Sequence, residues 1–195
     1  MITRILGLDP GSRSTGYAVL EKQGQVYRSV CCDTIRLSGT PDPHERLKVL
    51  YADITQVIRS YEAEICAIET PVYGKDPAAM LKLGRAQAAL IMAVLHCGIP
   101  LFEYYPKAVK KAITGSGNAT KDQVAYMLHK MISIPDEALS DDATDALAVA
   151  WCHFQKLRDP QGVTESADTS TGFRHRRKNS WDDFVENNPD RVRNP

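Results

Sequence analysis

Acidic residues stand at three places in this chain where chemistry could be done. Asp9 closes an apolar run in "RILGLDPGSRSTGYAVLEK" and is followed at once by the turn Pro10-Gly11-Ser12. Glu69 closes a second apolar run, "AEICAIET". The stretch "SDDATDALAVA" adds Asp141, Asp142 and Asp145. On a helix Asp142 and Asp145, at i and i+3, share a face, and so do Asp141 and Asp145 at i and i+4. Ala146, Val149 and Ala150 lie near that side, which turns it toward the protein. Carboxylates gathered there repel one another unless they are protonated or bind a cation. Magnesium and manganese take oxygen ligands. Two such ions about 3.5–4 Å apart can activate a water and stabilise a leaving alkoxide in phosphoryl transfer. Asp9 would be the ligand they share. Each acid alone has a plainer explanation: a helix N-terminus favours Asp141 and Asp142, and an Asp before Pro-Gly suits an Asx-type turn. The combination is what points to metal.

A phosphoryl-transfer site also needs cations for its polyanion. Lys121 follows the expected N-cap Thr120, at the positive end of its helix, where a lysine is unfavourable unless an anion is near. Lys107, Lys110 and Lys111 precede "TGSGN", whose glycines could expose backbone N–H groups to a phosphate. Lys82 and Arg85 sit about one turn apart on a long helix. Alone, each is an ordinary solvated charge. Together they suggest a basic patch near the acids, as a nucleic-acid backbone requires.

The elements that must position these groups read from hydrophobic periodicity. Residues 3–9, 16–21 and 25–37 read as strands, with Lys22-Gln23-Gly24 as the turn between the last two. Leu47, Leu50, Ile54, Val57 and Ile58 mark a helix over 44–61. A strand ending in Glu69 follows, then a helix over 78–97 that is apolar almost all round. Such a helix belongs in the centre of the fold or in a subunit interface. "GIPLFEYY" is the fifth strand. Helices follow over 106–113, 121–132 with a Thr120–Gln123 capping box, and 141–157 capped by Ser140. Three strands in meander followed by alternating strands and helices predict an α/β fold. It is a five-stranded mixed sheet with helices on both faces. Neighbouring parallel strand ends lie about 4.7–5 Å apart, and ligands gather outside such ends. That brings Asp9 and Glu69 together.

The 195 residues suit one domain, 1–157, plus a polar tail, 158–195. The tail is too short of apolar residues to order itself. Within it "SWDDFVE" could make one amphipathic turn, either folded back on the domain or docking a partner. Formal net charge is zero, so a nucleic acid must be met by a local patch. No apolar stretch near about 18 residues is evident, and no membrane span is expected. The N-terminus lacks the apolar region of a secretory signal, which makes a cytoplasmic location the expectation. Cys31, Cys32, Cys66, Cys97 and Cys152 form no C-x-x-C pair and read as small hydrophobes.

These residues resemble the RuvC family of Holliday junction resolvases, endonucleases of the RNase H-like superfamily. The resemblance covers about residues 3–155 and is carried by "GLDPGSRSTGYAV", "AIET", "LKLGRAQ", "FEYYPKAVKKAITGSGNATKDQV" and "DDATDALAVA". It implies that Asp9, Glu69, Asp142 and Asp145 bind two magnesium ions, with manganese a possible substitute, and so selects Asp142 over Asp141. It implies roles in junction binding and cleavage for Lys110 and Lys121. It also implies a homodimer built on the 78–97 helix. The activity implied is a pair of symmetric nicks across a four-way DNA junction that leave 5′-phosphate and 3′-hydroxyl ends. RuvA and RuvB are the implied partners. Many members place a stacking aromatic three positions after the glutamate; here that position is Val72, and Tyr73 follows it. Tyr73 is expected to take over the stacking.

Two other functions compete. A catalytically silent junction-binding module would gain nothing from clustered carboxylates, which repel DNA. An actin-like phosphotransferase, suggested by the D-x-G turn, would need a duplicated fold, and the chain has no internal repeat.

Overall fold

The computed structural model describes residues 2–72, 74, 76–134 and 139–158. Strands β1 (Ile2–Asp9), β2 (Ser14–Gln23) and β3 (Val26–Arg36) form an antiparallel meander. Strand β4 (Ile65–Glu69) adds in parallel beside β1, and β5 (Leu101–Tyr104) adds in parallel beside β4. The order β3-β2-β1-β4-β5 is the expected five-stranded mixed sheet. The β2–β3 turn falls later than the sequence suggests. Lys22 and Gln23 continue β2, and the reversal is made at Gly24, whose φ of 62° a glycine adopts at no steric cost.

Among the described residues, five helices complete the fold: α1 (Pro43–Tyr61), α2 (Pro77–His96), α3 (Pro106–Thr114), α4 (Lys121–Met131) and α5 (Asp141–Arg158). The first three open on a proline, which fits the first turn because its missing N–H has no partner there anyway. Asp42 and Asp76 cap α1 and α2. Thr120 and Gln123 close the capping box of α4. Ser140 Oγ accepts from the Ala143 N–H at the start of α5.

Side chains alternate along each strand and divide the core in two. Leu6, Leu8, Val19, Cys66 and Ile68 pack with Leu50 and Ile54 of α1 and Leu90 and Val94 of α2. Ile5, Ala18, Leu20 and Ala67 pack on the other face with Val109, Leu128, Leu147 and Trp151 from α3, α4 and α5. Odd positions of β1 and β4 thus face α5, and the next odd positions are Asp9 and Glu69.

Helix α5 lies so low on the sheet that only glycine fits beneath it. A Cβ on Gly7 would overlap the Ala146 carbonyl oxygen, and one on Gly16 would overlap that of Asp142. Gly16 is also the ladder partner of Asp9. The contact that seats α5 is therefore beside the strand end that carries the first acid. Gly16→Ala should destabilise the fold by about 1–3 kcal/mol through overpacking, seen as a lower urea midpoint. An unchanged midpoint would show that α5 is seated elsewhere.

Helix α2 corrects one reading, that no apolar stretch near about 18 residues exists, and narrows another. Pro77–His96 is long and apolar enough to cross a membrane by length and composition, with a mean hydropathy of 1.5. Lys82, Arg85 and Gln87 hide this from inspection by interrupting its apolar run. Of the two places expected for it, the centre of the chain's own core is not the one α2 takes. Ala86, Leu90, Ala93 and Val94 are buried, but Leu81, Met92 and Leu95 are 57%, 55% and 56% exposed. The helix covers the sheet with one side and presents an apolar stripe outward. Arg158 closes α5, one residue beyond the expected domain limit. The tail from 159 onward, with "SWDDFVE", lies outside the described residues, as does Tyr73.

Candidate active site

Parallel pairing of Leu8 with Ile68 leaves Asp9 and Glu69 as neighbouring strand ends on the α5 face. The first turns of α5 bring Asp142 and Asp145 over them. The start of α5 is held to β3 by a hydrogen bond of 2.6 Å between the Thr34 and Ser140 hydroxyls. Burial pushes the Asp9 carboxyl up to about 7, and the charges of Asp145 and Asp142 add to this, against Lys121. Burial likewise pushes Glu69 up to about 8, reinforced by Asp9 and Asp145 and opposed by Lys121 and Lys110. Asp141 is exposed and enters only as a charge near Lys121. The structure thus groups Asp142, not Asp141, with Asp9.

Lys121 Nζ donates to Asp145 Oδ2 at 2.5 Å. That bond holds the Lys121 ammonium above its ordinary value, although partial burial opposes it. A cavity of about 250 Å³ opens here, lined by Glu69, Lys110, Lys121 and Asp145 on apolar walls that include Pro106 and Val109. Oxygen donors and cations share one pocket.

The donor set suits a hard dication: every candidate ligand is a carboxylate, Asp9 and Glu69 are half-buried, and their neighbours' charges raise the cost of ionising both. A divalent ion would relieve that cost. Among the described residues, no three His, Cys, Asp or Glu side chains are drawn close enough to hold one ion as they stand. Lys121 takes Oδ2 of Asp145 and so competes with an ion for that oxygen, while Oδ1 stays open to a ligand.

Two expected phosphate-binding groups are not brought to this pocket. Lys82 and Arg85 line a different cavity, across the sheet. The loop after α3 turns its donors inward: the Gly115 N–H bonds Lys111 O, the Ser116 N–H bonds Thr114 Oγ1, and the Asn118 N–H bonds Ser116 Oγ. It is a helix C-cap, with Gly115 at φ 78°, rather than a phosphate cradle.

Sequence reasoning missed the parts that support the strand ends. Glu103 Oε2 accepts from Thr70 Oγ1 and from Gln87 Nε2, each at 3.2 Å, which ties the residue after Glu69 to α2. No local pattern announces that link. Gly7 and Gly16 did carry a signal, since a glycine inside a strand marks close backbone approach.

The two raised carboxyls make stability depend on pH. Their folded values lie above the ordinary carboxylate range, so the folded state holds protons that the unfolded chain would release. Their contribution favours folding at about pH 4 and below, and is lost as pH rises through about 7 and 8. The melting temperature of metal-free protein should therefore fall from about pH 6 to about pH 9, and magnesium should restore more of it at the higher pH. A melting temperature that climbs over that range, with no magnesium effect, would contradict the electrostatics of the site.

Comparison with known proteins follows the same lines. The family described as "Crossover junction endodeoxyribonuclease RuvC" matches residues 5–153. A protein of that name from Salinibacter ruber is 44% identical over 188 residues, covering 96% of this chain and 98% of the other. The Porphyromonas gingivalis protein of the same name is 41% identical over 191 residues, 97% and 96% of the two chains. Among solved structures, Thermus thermophilus RuvC superposes with a TM-score of 0.71 at 27% identity, covering 81% of this chain and 96% of that one.

Proposed function

The chain belongs to the RuvC family of crossover junction endodeoxyribonucleases, and from that premise we propose that DNA is cut at the ends of β1 and β4. The protein is a metal-dependent endonuclease that resolves four-way (Holliday) junctions in recombination and repair. The observation that carries the assignment of the site is the pair of half-buried, mutually repelling carboxyls at Asp9 and Glu69, beneath Asp142 and Asp145, with Lys121 among them.

Asp9, Glu69, Asp142 and Asp145 would hold two magnesium ions, for which manganese can substitute. When bound, such ions lower the pKa of a water and stabilise developing charge on the leaving oxygen. Hydrolysis adds the water oxygen to phosphorus as the bond to the 3′ oxygen breaks. The products are a 5′-phosphate and a 3′-hydroxyl. Lys121 releases Asp145 and turns to the phosphate, where its charge offsets that of the transition state. Lys110, on the wall of the same cavity, holds the backbone. The apolar walls keep bulk water from weakening these interactions.

Cutting a symmetric substrate twice calls for two copies of the site. The outward stripe of Leu81, Met92 and Leu95 supports a homodimer built on α2. RuvA and RuvB fit as the proteins that move the branch point, and the cytoplasm, where a bacterial chromosome lies, as the place of action. Tyr73 stacks on a base near the crossover. A Tyr73→Ala variant should therefore lose the 2-aminopurine fluorescence change at the junction centre, and an unaltered signal would discount stacking.

The functional test is a radiolabelled four-way junction incubated with protein and magnesium beside a linear duplex of the same sequence. Paired nicks at symmetric positions in the junction alone are expected. Equal cutting of both DNAs, or of neither, would overturn the assignment.

A further inference from the structure

A second cavity, of about 730 Å³, opens on the opposite face of the sheet from the acids. Arg13 lines it from the β1–β2 turn, His44 and Arg46 from the start of α1, and Asp76, Lys82 and Arg85 from the start of α2. Strands β1, β3 and β4 all run the same way. The connections after them therefore leave at one edge, and Asp9 and Glu69 end at that same edge. The cavity and the acid pocket are thus neighbours along the carboxyl edge, separated by the thickness of the sheet.

The charges in this cavity lack counterions among the described residues. Among the described residues, none of Arg13, Arg46, Lys82 and Arg85 has a carboxylate within ion-pair distance. Asp76, the one acid among the described residues on the wall, is committed to the N–H groups of Ala78 and Ala79 at 2.9 and 3.2 Å. Arg46 is half-buried, and its Nε donates to Thr40 O at 2.5 Å, which fixes the guanidinium plane. The other three cations are exposed. Unpaired cations around one concavity repel each other and raise the local concentration of an anion. Guanidinium forks match phosphate oxygens.

Resting on the reading of the chain as a junction nuclease, the geometry points to this cavity as a holder of the DNA phosphodiester backbone beside the phosphate being cut. Arg46 is its half-buried cation, and Arg13, Lys82 and Arg85 are the exposed ones around it. The DNA then bridges the carboxyl edge of the sheet, with cations on one face at Lys110 and Lys121 and on the other at Arg13 and Arg46. The acids lie between the two anchor points. The backbone held here belongs either to the arm being cut or to the adjoining arm of the junction.

The test is a double variant, Arg13→Gln with Arg85→Gln, titrated at several salt concentrations against a four-way junction and a linear duplex. Removing one cation that neutralises a phosphate lowers the log–log salt slope by about 0.9. The slope should therefore flatten by up to about two and junction binding weaken by about tenfold. Arg13→Lys with Arg85→Lys should keep most of the slope. Equal loss of affinity for both DNAs assigns the held phosphate to the arm being cut; loss for the junction alone assigns it to the adjoining arm. The melting temperature should not move, because these side chains make no ion pair among the described residues. Unchanged slope and affinity on both DNAs would overturn the inference, and so would a collapse of the melting temperature, which would make the residues structural. A wild-type protein that fails to cut the junction tells against the enzyme reading instead, and the slopes still report on the cavity.

Discussion

Asp9→Asn should abolish junction cleavage while leaving junction binding intact or tighter. The expected loss is about 10³-fold or more, at or above the upper end of what removing one oxyanion donor costs an enzyme. Asparagine keeps the shape and one oxygen of aspartate but not its charge. Asp9 is the acid that feels Asp145 and Asp142 directly and that in turn raises Glu69. Removing its charge would therefore take away a proposed metal ligand and relax its neighbours together. The fold should not suffer, because burial already disfavours the ionised form at this position. Above about pH 8 the variant should melt higher than the wild type in the absence of metal, since no charge need be buried. DNA loses a repulsive neighbour, so binding measured without metal should hold or improve. Single-turnover cleavage with magnesium at near the wild-type rate would remove Asp9 from the metal site.

Lys121→Ala should slow cleavage by about 10²–10³-fold, the loss typical of deleting one preorganised charge-stabilising donor, and at the same time tighten metal binding. The opposing directions come from the double role of the lysine. In the protein alone Lys121 Nζ sits on Asp145 Oδ2 at 2.5 Å and offsets the charges of Asp9 and Glu69. There it competes with a divalent ion for Asp145. With DNA in place the proposed role of its charge is at the phosphate. Without it the carboxylates lose their internal counterion, which strengthens their hold on magnesium, but the transition state loses a cation. Arginine should restore only part of the rate, because a planar fork does not replace a compact ammonium. Magnesium titrations of the variant followed by single-turnover kinetics separate the two effects. An unchanged rate together with an unchanged metal affinity would take Lys121 out of the site.

Much of this arrangement was legible in the sequence, for local reasons. The Thr120–Gln123 capping box, the proline start of α1 and the apolar runs that become β1 and β4 are short-range signals, and with the helical spacing elsewhere they let the ten elements of the described residues be read in order. Period-two alternation also assigns Asp9 and Glu69 to one sheet face once the strands are parallel. Position relative to the sheet was not legible. Lys82 and Arg85 read correctly as helical neighbours, but a helix pattern does not reveal which face of the sheet its helix covers, and they belong to the face away from Asp9. The apolar character of α2 was underread because three polar residues break its run, though its mean hydropathy remains high. The Thr114–Asn118 loop misled for a different reason. Glycines that would suit an anion nest suit a helix C-cap equally, and Gly115 serves the cap. Glu103, Thr70 and Gln87 meet only in the folded chain, through two hydrogen bonds that no spacing rule anticipates.

The structure of the protein with manganese, recorded with anomalous scattering at the manganese edge, is the most direct measurement of all. Ions should appear against Asp9 and Glu69, with Asp145 withdrawn from Lys121 to reach them. Manganese absent from these carboxylates under conditions where the same preparation cuts a four-way junction would contradict the account.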